Sequence, residues 1–125
     1  MNDNVQALVK IWRELISSDH HKSKDHYFEI TKAWKAGHEY PVFSAQHNAY
    51  IGDDLFSPDC KTYEEAEEYL INHLLTQIQK QHEWAQSVLA LPEEDRSWSE
   101  REASFMIEVL AKNAETIKRI TDEQD

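Results

Sequence analysis

The 125 residues carry 24 Asp and Glu against 13 Lys and Arg, a formal net charge of −11, and 40% are apolar, with four Trp, five Tyr and four Phe among them. That length and apolar content predict one domain over residues 1–125 with a sizeable core. The charge repels phosphate backbones and anionic lipid headgroups, which argues against direct contact with nucleic acid or a membrane surface.

Cys60 is the only cysteine, so an intrachain disulfide is excluded and a reducing, cytoplasmic setting is expected. Lys10, Arg13 and Glu14 interrupt the one N-terminal apolar run, and no stretch approaches the ~18 apolar residues of a membrane span, so neither an export signal nor a span is expected. The negative charge is concentrated in two places. Residues 49–70 hold seven acids and one base, and residues 91–125 hold ten acids and five bases.

In chain order, Val5, Leu8, Val9, Trp12, Leu15 and Ile16 recur at helical spacing and predict a helix over residues 4–17, capped reciprocally by Asp3 and Gln6. The polar run 17–25 then reads as a loop. Alternation of Phe28, Ile30 and Trp34 with Tyr27, Glu29 and Thr31 predicts a strand over His26–Trp34, and Tyr40–Gln46 predicts a second, joined by a turn at Lys35-Ala36-Gly37-His38. Pro41 suits a sheet edge, because it has no amide proton to give a ladder. A competing helix over Asp25–Ala36, ended by Gly37, draws support from Lys32 on the apolar side of the strand pattern. Ala49–Gly52 is expected to add a third short strand, and Asp53–Lys61, with Pro58 and three Asp, a loop.

Thr62 and Glu65 form a capping box that opens a long helix to about Leu89. Its broad arc holds Ala66, Leu70, Ile71, Leu74, Leu75, Ile78, Ala85 and Val88, with Gln77 and Gln81 intruding. Leu91–Arg96 breaks it. Ser97 and Glu100 make a second capping box for a last helix to about Ile120, with Ala103, Met106, Ile107, Leu110, Ala114 and Ile117 as its stripe. The order α-β-β-β-α-α predicts an α+β fold: an N-terminal helix, a small antiparallel sheet of two to three strands, and two long helices paired antiparallel and extending past the sheet.

Reactive constellations are sparse. Two glycines, Gly37 and Gly52, cannot build a phosphate-cradling loop. His20, His21, His26, His38 and His47 crowd the first 48 residues, and His26, His38 and His47 with Glu39, Asp53 or Asp54 form the one set that a metal-dependent or hydrolytic enzyme could use. Exposed loop histidines account for the same pattern, so no metal and no cofactor is expected. Cys60 lies between Asp59 and Lys61 in an acidic loop, where nearby negative charge makes a thiol less nucleophilic.

Two features point to partner binding. Glu64, Glu65, Glu67 and Glu68 crowd the start of the long helix, a position that also suits acids for local reasons. Trp98, Phe105 and Val109 form a second apolar stripe nearly opposite the main stripe of the last helix. The expectation is a non-enzymatic acidic protein-binding module, without a cofactor, acting on a basic partner surface as an inhibitor or immunity-type protein does. A homodimer, or a homo-oligomeric structural subunit, would bury the second stripe between copies.

Overall fold

The structure, a computed structural model, describes residues 1–17, 27–48, 53–97 and 99–124. It has an α+β fold in which helix α1 (Asp3–Leu15) precedes a three-stranded antiparallel sheet of order β1-β2-β3, and the helices follow. The strands are β1 (Tyr27–Ala33), β2 (Val42–Asn48) and β3 (Leu55–Phe56). Helix α2 (Tyr63–Leu89), a single 3-10 turn at Glu93–Asp95, α3 (Ser99–Lys112) and α4 (Ala114–Gln124) complete the chain.

Helix α1 forms as the spacing predicts, but its cap is Asn2. The Asn2 Oδ1 accepts from the Val5 amide at 2.9 Å, one residue earlier than the predicted Asp3 cap, and Gln6 Nε2 donates to the Met1 carbonyl at 2.8 Å. The buried side of α1 carries Val5, Leu8, Ile11, Trp12 and Leu15. It packs across α2 and α3, and an ion pair from Lys112 on α3 to Glu14 secures it from the outside.

The β1–β2 hairpin replaces the competing helix. Its register pairs Phe28 with His47, Ile30 with Ala45 and Lys32 with Phe43, which places these pairs on the helix-facing side. Lys32 therefore falls at the turn end of that side, where its ammonium reaches water. Gly37 takes φ +86° in the turn, a left-handed value that side chains with a Cβ rarely adopt, and His38 N–H donates to the Lys35 carbonyl at 3.2 Å. Pro41 sits one residue before β2, outside the ladder of what is the central strand.

The expected third strand at 49–52 lies outside the described residues. Within the segment expected to be a loop, Leu55–Phe56 pairs instead with His47 and Gln46. The same segment bonds to β2 again beyond β3: Phe43 and Cys60 exchange amide bonds of 2.9 and 2.7 Å. The chain thus reaches α2 tied to the sheet.

The Thr62 cap holds, its hydroxyl accepting from the Glu65 amide at 3.1 Å, while Glu65 reaches back to the Lys61 amide at 3.3 Å. Helix α2 spans roughly 40 Å at 1.5 Å per residue and packs one side on α1 and α3 and another on β2. The last helix departs from expectation: it is interrupted at Asn113, whose Nδ2 donates to the Val109 carbonyl at 2.8 Å and shares that acceptor with the Asn113 backbone amide at 3.2 Å. Helix α4 returns along α2, with Ile117 and Thr121 beside Leu75 and Ile78, and Asn4 Nδ2 donates to Glu123 at 2.7 Å.

No helix among the described residues is long and apolar enough to cross a membrane.

Candidate functional site

The turn of the hairpin and the start of α2 share one end of the molecule. Trp34, just after β1, and Tyr40, just before β2, flank the turn and are 70% and 74% exposed. Lys35 in that turn pairs with Asp59, and Tyr63, the first residue of α2, packs edge-on against Phe43 with ring centroids 6.0 Å apart. These ties bring the two exposed aromatic rings to the same end as the acidic first turns of α2. Glu64, Glu65 and Glu68 are exposed there. Glu67 is not: it is 4% exposed and accepts from the Asn2 amide at the start of α1, so its carboxylate joins two helices and leaves the surface cluster.

Cys60 lies beneath this end. Burial first, then the Glu65 and Asp59 carboxylates, push its thiol pKa up, which keeps it protonated and unreactive at neutral pH.

At the opposite end of the hairpin, β2 delivers His47 into the core. Its ring stacks on Phe28 at 4.3 Å, meets Trp12 edge-on at 6.1 Å, and its Nδ1 lies 2.7 Å from His73 Nε2 on α2. A bond of this kind holds one proton between two ring nitrogens, so one histidine donates and the other accepts. Below His73 on the same side of α2, Gln77 Oε1 accepts from the Asp53 amide at 3.0 Å, and Lys80 Nζ donates to Asp53 Oδ2 at 2.5 Å. The Lys80 and Gln77 bonds hold the Asp53 carboxyl below its ordinary pKa. Burial pushes the His73 pKa down, with Asp53 and Asp54 opposing and Lys80 assisting.

Comparison with protein-family models, with curated proteins and with solved structures finds no match for this chain. The site must be read from its own geometry.

The set expected for a metal-dependent enzyme does not assemble as drawn. His38 sits in the hairpin turn and His47 near the far end of β2, separated along the strand, while His20, His21 and His26 lie outside the described residues. His47 meets His73 instead, a residue that sequence reasoning did not single out. Among the described residues no three histidine, cysteine or acidic side chains are grouped to hold a metal ion.

The second apolar stripe of the last helix also resolves in part. Val109 is 3% exposed and belongs to the core of the single chain, and Phe105 is half-buried against that core. Trp98 lies outside the described residues. Val109 is therefore covered within the single chain.

Proposed function

We propose that this chain is a non-enzymatic binding module that engages a basic protein surface with the end of the molecule formed by the β1–β2 turn and the start of α2. One observation carries this reading: Trp34 and Tyr40 are largely exposed at the same end of the molecule as the exposed carboxylates of Glu64, Glu65 and Glu68. Large exposed aromatics anchor protein interfaces, and a surrounding field of one sign steers an oppositely charged partner. The lone, buried thiol accords with action in the cytoplasm.

Capture of a basic protein by the immobilised chain, with elution across a salt gradient, tests the proposal. The Glu64→Gln, Glu65→Gln, Glu68→Gln triple variant should slow association by about tenfold at low salt and far less near 0.15 M, where screening extends over only ~8 Å. Trp34→Ala should weaken the complex by about 2 kcal/mol or more, yet leave the melting temperature of the free protein unchanged, since Trp34 contributes little to the core. A complex indifferent to both changes would refute the proposed surface.

A further inference from the structure

A cleft of about 420 Å³ opens between α1 and the start of β1, well away from the hairpin turn. Its walls are Gln6, Val9, Lys10 and Arg13 of α1 and the Phe28 ring of β1, together with Met1. Residues 6, 9, 10 and 13 fall on one flank of the helix by their three- and four-residue spacing, next to the buried stripe. The cleft therefore has an apolar floor from Val9 and Phe28 and a basic rim from Lys10 and Arg13.

The sign of that rim is unusual in this molecule. No acidic side chain lines the cleft, and neither Lys10 nor Arg13 has an ion-pair partner among the described residues. By contrast the cleft on α4 is lined by Lys118 with Asp122 and Arg119 with Glu123, each cation already paired. The Arg13 guanidinium lies 5.4 Å from the centre of the Phe28 ring, a cation–π contact that holds the fork in place at the mouth. The Phe28 ring also stacks on the fully buried His47, so it cannot swing aside to fill the opening.

We infer that this cleft binds a small amphipathic carboxylate, with the carboxylate on Arg13 and Lys10 and the apolar chain on Val9 and the Phe28 ring. A planar guanidinium matches a carboxylate bidentately, and the volume falls within the roughly 300–1,000 Å³ of ordinary ligand sites. A single charge suits the site better than a phosphate of about −1.5 to −2, because the rest of the chain is strongly negative and repels the more highly charged head. The proposal is independent of the basic-partner surface, which lies at the other end of the hairpin.

Sodium octanoate is the probe, titrated into the full chain and followed by calorimetry and by the NMR signals of the Phe28 and His47 rings. Octanoate should bind with saturable shifts at Phe28 and, through the stack, at the water-inaccessible His47. Octanol should bind at least tenfold more weakly, and octyl phosphate more weakly than octanoate. Arg13→Gln should lose tenfold or more in affinity and Arg13→Lys less, with the melting temperature unchanged because Arg13 is exposed, and Lys118→Gln on α4 should bind as wild type. Equal binding of octanol and octanoate, wild-type affinity in Arg13→Gln, or engagement of an acidic peptide such as oligoglutamate without engagement of octanoate would each overturn the assignment.

Discussion

Truncating Trp12 to alanine is expected to lower the unfolding free energy by about 3–5 kcal/mol, a large part of the 5–15 kcal/mol available to a small domain. Trp12 is fully buried on the core side of α1 between Leu8 and Leu15, and its edge meets the His47 ring. Removal leaves a hole lined by apolar side chains on one side and a polar ring on the other, where neither water nor collapse restores what is lost. Urea denaturation should show a lowered midpoint at nearly constant slope. A loss below about 1 kcal/mol would mean that α1 is docked chiefly by its other residues.

Mild acid is expected to destabilise the wild-type protein through the histidine pair. The folded-state pKa of His73 lies below its ordinary value of about 6.5, so the unfolded chain binds the proton more readily than the folded one. The stability this contributes is fully present above about pH 6.5 and is lost as the pH falls through the lower folded value. Geometry sets the limit: with 2.7 Å between Nδ1 and Nε2, two imidazolium rings would aim protons at each other. Asp53 and Asp54 on the segment before β3 offer the incoming charge some compensation, whereas Lys80 on α2 opposes it. The melting temperature should fall between pH 7 and 5, and His73→Gln, which keeps a donor and an acceptor but does not titrate, should flatten that fall. An equally steep decline in the variant would assign the acid response to other groups.

The parts of this fold governed by local rules are legible in the residues. Thr62 and Glu65 announce the start of α2 because a cap involves only neighbours in sequence, and the hairpin follows from alternation around a turn that contains Gly37. Local rules cannot reach β3, since two residues, Leu55 and Phe56, display no periodicity and are recruited by pairing with His47 and Gln46. The break at Asn113 is hidden as well: Ala114 and Ile117 continue the apolar stripe of α3, so periodicity runs straight through the interruption between α3 and α4.

The same division holds at the functional surfaces. Exposed Glu64, Glu65 and Glu68 follow from a run of acids at a helix start, but the buried Glu67 differs from them only in standing three and four residues before Leu70 and Ile71, on the arc that faces the core. His73 and His47 are 26 residues apart, and their meeting depends on how α2 crosses β2. The hint in the sequence is the spacing His73, Gln77, Lys80, a polar line along the margin of an apolar helix face. The basic cleft is concealed in a different way: Lys10 and Arg13 look like the ordinary outer face of an amphipathic helix until β1 supplies Phe28 as the opposite wall.

The interruption at Asn113 also divides how the backbone exchanges its amide protons with solvent. Helix α4 buries only Ile120 fully, and its end is held to α1 by exposed bonds in which Asn4 donates to Glu123 and accepts from Arg119. Helix α3, by contrast, buries Ala103, Met106, Val109 and Leu110. Deuterium should therefore enter α4 by local opening at low denaturant, while the amides of α3 and the middle of α2 exchange only through global unfolding. Asn4→Ala, which cuts the tie to Glu123 and Arg119, should speed labelling of α4 several-fold and leave α3 as slow as before, which would make α4 a latch that releases while the core stays closed.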